Sequence, residues 1–213
     1  MDKTNSKLKK RLIIVLVVVI CSVPVLLGVT YLVDYLDNKS KIVEDQVIDY
    51  DWYEADYSEN IYEDEEYAKL VEYGFISYTD GSVTLLIDKD SAVSYGDEID
   101  FMVRYLYSII DGDAEEYNSY FSDLYYKGHS KKDSFTMQKI YDVSLTKDNV
   151  ENVENKNGDF TRYTFVLSYR ILKNNGTFRK DIGDGYKRQY ITVTEKNGQF
   201  LIDAISTEKI IVK

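Results

Sequence analysis

The stretch Asp97-Glu98-Ile99-Asp100-Phe101-Met102-Val103-Arg104-Tyr105-Leu106-Tyr107-Ser108-Ile109-Ile110-Asp111-Gly112-Asp113 puts Ile99, Met102, Val103, Leu106, Ile109 and Ile110 on one helical face. Asp100, Arg104 and Ser108 fall off that face. Apolar residues three and four apart mark a helix that buries one side. Asp111-Gly112-Asp113 breaks it, and Asp113 with Glu116 three residues on is a capping pattern for a second helix carrying Tyr117, Phe121 and Leu124. From Ser134 the period changes to two. Strands are expected over 135–146, 160–172, 186–194 and 199–206, with a last one over 209–212. Within 160–172, Thr161, Tyr163, Phe165, Leu167, Tyr169 and Ile171 share one face. Asn175-Gly176 and Asn197-Gly198 mark hairpins, the first with a longer loop through 181–185. Helices followed by consecutive antiparallel strands predict an α+β domain over 97–213.

Upstream, Asn60 and Glu63 fit a capping box for a helix over 61–73, with Gly74 as its stop. Residues 75–79 and 82–87 flank Asp80-Gly81 as a hairpin, so 61–96 forms a helix plus β-hairpin appendage. Residues 34–60 are acidic, nine carboxylates against Lys39 and Lys41, and are expected to be an extended linker. The aromatic residues Tyr50, Trp52, Tyr53 and Tyr57 within it leave a recognition motif as the other reading.

Residues 12–33 are an uninterrupted apolar run, which as a helix reaches roughly 33 Å, enough to cross a hydrocarbon core of about 30 Å. The basic tail 1–11, with Lys3, Lys7, Lys9, Lys10 and Arg11, predicts a cytoplasmic N-terminus and a single-pass protein with its C-terminal domain extracytoplasmic. A cleaved secretory signal fits less well, because the run exceeds the usual apolar region and lacks a clean cleavage site. Cys21 follows Ile20, which does not suit lipidation.

The chain carries 26 basic and 37 acidic residues; five and one of these lie in 1–33, which leaves 21 against 36, a net charge of −15, beyond the anchor. That balance excludes nucleic acid as a favoured partner, because cations supply such affinity. Without cysteine outside the span, the outer domain depends on a hydrophobic core and not on disulfides. Tyrosine is over-used, at 21 of 213 residues. It suits a binding surface, but the more economical reading is a good strand former in a strand-rich chain.

The break Ile110-Asp111-Gly112-Asp113, the helix end Phe121-Ser122-Asp123-Leu124-Tyr125-Tyr126 and the closing Asn197-Gly198-Gln199-Phe200-Leu201-Ile202-Asp203-Ala204-Ile205 together resemble the nuclear-transport-factor-2-like superfamily over residues 97–206. The resemblance implies a cone-like domain of helices packed on a curved antiparallel sheet, whose open end can hold a small ligand. Some members are isomerases or dehydratases and many are non-catalytic. Members with one N-terminal span and an outward domain include components of conjugation and type IV secretion channels.

Chemistry is sparse. His129 lies in a polar loop, and Ser residues have no other histidine partner. Asp88-Lys89-Asp90, Asp111-Gly112-Asp113 and 181–185 lack the ligand series of a calcium loop, and zinc lacks ligands. No catalytic residue, metal or cofactor is therefore expected. Tyr163, Tyr169, Tyr190 and Asp203 are the candidates for lining a pocket in the cone. The leading expectation is a membrane-anchored interaction or assembly module of a cell-envelope or conjugation-type complex, partnered by the membrane through 12–33 and by other envelope proteins. A small-molecule or glycan-binding domain is the alternative, followed by an isomerase or hydrolase of the same fold.

Overall fold

The computed structural model describes residues 54–72, 76–154, 156 and 158–209. The expected basic tail (1–11), membrane span (12–33) and linker up to residue 53 lie outside the described residues, as do 210–212. Among the described residues no helix is long and apolar enough to cross a membrane. Their architecture is α+β, with helices α1 (Glu65–Leu70), α2 (Asp97–Ile110) and α3 (Ala114–Ser119). The strands are β1 (Ile76–Asp80), β2 (Val83–Ile87), β3 (Ile140–Val153), β4 (Phe160–Asn175), β5 (Ile182–Lys196) and β6 (Gln199–Ser206).

These strands make one sheet in the order β2-β1-β3-β4-β5-β6. The expectation of a purely antiparallel sheet is corrected, because β1 pairs with β3 in parallel, Ser77 to Asp80 alongside Ser144 to Lys147. A parallel pair needs a long crossover, and the chain carrying β2, α2 and α3 supplies it. The hairpin expected as an appendage thus continues the main sheet. Lys147 ties it down, with its Nζ 2.6 Å from Asp80 and 3.5 Å from Glu98 in the first turn of α2.

The segment expected as one helix over 61–73 is split. Asn60 accepts from the Tyr62 N–H and opens only a 3₁₀ turn, Ile61–Glu63, while its own amide donates to the Glu63 carboxylate. Asp64 then caps α1, accepting from the N–H groups of Glu66 and Tyr67 at 2.8 and 3.0 Å.

Helix α2 buries its six expected apolar residues and also Tyr105 and Ser108. The Tyr105 ring sits among Tyr117, Tyr120 and Phe121, which cover a second side of the helix. Ser108, expected off the buried face, is accommodated because its hydroxyl donates to the Tyr105 carbonyl at 2.7 Å. Gly112 ends the helix with φ +71°, and a Cβ there would lie 2.8 Å from the Met137 nitrogen. The Gln138 N–H donates to the Ile110 carbonyl at 2.9 Å, pairing a helix-end acceptor. That docking keeps 135–139 out of the sheet, so the first long strand starts at Ile140 and not at Phe135.

Helix α3 stops at Ser119 instead of reaching Leu124. Tyr120 and Ser122 bond to both sides of Ile202, at 2.8 and 3.0 Å, which draws Phe121 against β6 and leaves Leu124 exposed. In the other direction, most of the loop expected over 181–185 is strand, because β5 begins at Ile182. The pairing of β4 with β5 resumes beyond an irregularity between Ile171 and Asn174, where Lys173 takes φ +51°.

Candidate functional site

Tyr62 of the 3₁₀ turn, Tyr67, Leu70 and Val71 around α1, Ile76 and Leu86 of the hairpin, Leu106, Tyr107 and Ile110 of α2, and 140–143 of β3 enclose a cavity of about 630 Å³. Each element turns an apolar residue toward it because the 3₁₀ turn, α1 and the hairpin arch across α2 and the start of β3. The hydroxyls in its wall are partly committed: Tyr67 donates to the Ile140 carbonyl at 2.8 Å and Tyr62 to the Asp111 carboxylate at 2.7 Å. Burial pushes the Tyr67 hydroxyl far above its usual range, so it stays a neutral donor. Among the described residues Asp142 is the one charged lining residue, held at φ +51° at the bulge of β3 and pairing with Arg170 at 3.5 Å. The rim carries exposed aliphatic side chains, with Leu70 at 45% and Leu86 at 64% of full exposure.

Aromatic side chains fill the space between the helices and the inner face of the sheet. Tyr117 meets Tyr105, Phe121, Phe135 and Phe178 with ring centroids 4.9 to 5.8 Å apart. Phe101, Tyr163 and Phe200 make a second group at 5.6 and 6.1 Å. Such contacts are worth about 0.5–1.5 kcal/mol each beyond their buried area. Tyr105 and Tyr117 are pushed well above the usual phenol range by burial.

The four residues expected to line a pocket are not brought together. Tyr163 is half-buried against Phe165 and Phe200. Tyr169 is fully buried, and its hydroxyl lies beside the Arg179 guanidinium without a geometrically complete hydrogen bond. Tyr190 pairs with Val166 and so lies on the other face of the sheet, with the Arg188 guanidinium 5.5 Å from its ring. Asp203 sits at the irregularity in the pairing of β6 with β5 and accepts from the Thr194 hydroxyl. None of the four lines the cavity, whose walls come from segments with no shared sequence signal beyond apolar periodicity. His129 is exposed, stacked on Tyr125 at 4.2 Å, with Nδ1 3.0 Å from the Tyr125 carbonyl oxygen. Among the described residues no group of three or more His, Cys, Asp or Glu is placed to hold a metal ion.

Comparison of the chain with family models, curated proteins and solved structures returns no match. The geometry alone therefore bears on function. An apolar hollow with a single charged residue and aliphatic rims can bury side chains of another molecule, and the hydroxyls of Tyr107 and Tyr141 at its wall can orient it.

Proposed function

We propose that this chain is a single-pass membrane-anchored protein whose extracytoplasmic domain, of the nuclear-transport-factor-2-like type, is an interaction or assembly module of a cell-envelope complex. The observation that carries the reading is that the space between helices and sheet is occupied by the protein's own aromatic rings, while the hollow beside α1 and the hairpin is apolar and opens between exposed Leu70 and Leu86. The partner fitting it is an envelope protein presenting one or two aliphatic or aromatic side chains, with Leu70 and Leu86 at the rim adding contact area. The apolar run 12–33 and the basic tail support the location.

A second reading has one specific observation in its favour. The cavity volume falls within the range of small-molecule sites, roughly 300–1,000 Å³, which suits an uncharged apolar ligand.

The test is a photo-activatable crosslinker at position 86 in cells, with position 186 as an exposed control on β5. The assembly reading expects one envelope protein, identified by mass spectrometry, captured from position 86, absent from position 186, and lost on adding Leu70→Asp. Equal capture from both positions, or none, rejects it. Retention of a lipid-like or aromatic small molecule in the purified protein, lost in Leu70→Asp, would support the second reading.

A further inference from the structure

The loop 176–181, between β4 and β5, concentrates positive charge in a protein of net charge −11. Phe178 on this loop is buried at the edge of the aromatic interior, against Tyr117 and Phe135. Two cations flank its ring: the Lys132 Nζ is 5.3 Å and the Arg179 guanidinium carbon 5.8 Å from the centroid. A third, Lys187, lies directly across the sheet from Tyr169, on the inner face. Among the described residues no carboxylate ion-pairs with Lys132 or Arg179, while Lys187 pairs with Asp181, which also accepts from the Asn174 amide.

Arg179 Nε and Tyr169 Oη, the latter on a side chain that is fully buried, make no geometrically complete hydrogen bond with the rest of the protein, and the guanidinium lies beside the hydroxyl. Buried donors left in this way are rare and call for an account. The cations also feel one another. Burial and then the neighbouring Arg179 and Lys180 lower the pKa of Lys132, and burial and then Arg179 lower that of Lys187. Beside Tyr169, burial raises the hydroxyl's pKa while the guanidinium opposes the rise.

We infer that Arg179, Lys132, Lys187 and the Tyr169 hydroxyl form a binding site for a phosphate group at the base of the Phe178 loop. Asp181 pairs with Lys187, whereas Lys132 and Arg179 have no carboxylate ion pair among the described residues; a dianionic phosphate monoester or inorganic phosphate meets both, and a single carboxylate would leave one uncompensated. The Arg179 fork supplies two parallel donors, Tyr169 a third, and the lysines point charges, which suits a centre with several oxygens. Glu115 and Asp133 lie with Lys132 and Lys131 around a neighbouring shallow pocket and limit the site on that side. None of the four site residues lines the apolar cavity, so this inference stands or falls separately from the assembly reading.

The test titrates the full-length protein in detergent micelles with inorganic phosphate and, in a second arm, glycerol 3-phosphate, by calorimetry, with chloride at matched ionic strength as the reference. Saturable binding is expected, weakened roughly tenfold or more by Arg179→Gln and by Lys132→Gln. Lys89→Gln, which removes a cation outside the cluster, should leave it unchanged. Tighter binding of the ester assigns the site to an organic phosphomonoester, and equal binding assigns it to the free anion. Melting curves of both site variants establish that they fold. The absence of saturable binding of either probe, or an equal loss in Lys89→Gln, overturns the site.

Discussion

Gly112 and Gly81 both take positive φ, at +71° and +59°, but only one is also crowded. A Cβ on Gly81 meets nothing within 4 Å, whereas on Gly112 it meets the backbone of 135–137, starting 2.8 Å from the Met137 nitrogen. Gly81→Ala should therefore cost about 1 kcal/mol for the left-handed conformation alone. Gly112→Ala adds a backbone clash and should cost about 3 kcal/mol or more, read as the difference in urea unfolding. Equal losses would show that the 135–137 segment yields. The chain break at Asp111-Gly112-Asp113 was legible because glycine between two acids is a local signal. The close approach was not, since nothing in 110–113 marks what packs against it. Tyrosine carries the same lesson: among the described residues, buried Tyr67, Tyr105, Tyr117 and Tyr120 lie on or beside helices, where they fill the interior, and strand propensity accounts only for buried Tyr78 and Tyr169.

The junction between α1 and β3 depends on one carboxylate with two tasks. Asp64 caps α1 through Oδ1, and its Oδ2 meets the Lys139 Nζ, which Glu59 also meets at 2.6 Å. The hydrogen bond from Lys139 first, and the Tyr67 N–H next, hold the Asp64 carboxyl down at about 2 against an ordinary 3.8. On Lys139, burial lowers the pKa but the two carboxylates outweigh it, so the lysine stays charged. A depressed carboxylate pKa contributes stability above its unfolded value, and that contribution is lost as pH falls from about 3.8 through about 2. Asp64→Asn keeps a capping side chain and loses the ion pair, so it should cost roughly 1–2 kcal/mol near neutral pH. Asp64→Ala should lose about 1 kcal/mol more with the cap. The melting-temperature gap between wild type and Asp64→Asn should close between pH 5 and pH 2; a gap constant over that range would assign the loss to packing.

Charge and hydropathy are distributed along the chain so that the apolar run and basic tail come first and the acidic domain follows. If residues 12–33 anchor the protein, it stays in the membrane pellet after an alkaline carbonate wash, while a variant lacking residues 1–33 passes to the supernatant. Protease added outside the cell should then remove the domain beyond residue 60. Release of the full-length chain by carbonate would reject the anchor, and protection of the domain would reverse the orientation. Net repulsion among 36 carboxylates also makes the basic cluster at the Phe178 loop a feature that composition alone hides.

By itself the sequence determined what depends on near neighbours. The helix Asp97–Ile110 follows from its period, the long strands from their alternation, and the Asn197-Gly198 turn from two residues that tolerate positive φ, observed at +55° and +80°. Those features yielded the α+β class. Only the tertiary structure decided that β1 joins β3 in parallel, that α1 and the hairpin roof an apolar cavity, that Tyr190 faces away from Tyr169, and that Lys132, Arg179 and Lys187 converge. Those outcomes hinge on packing between segments far apart in the chain, which compete for the same buried surface. A period read along one strand says which residues share a face, and does not say what will cover it.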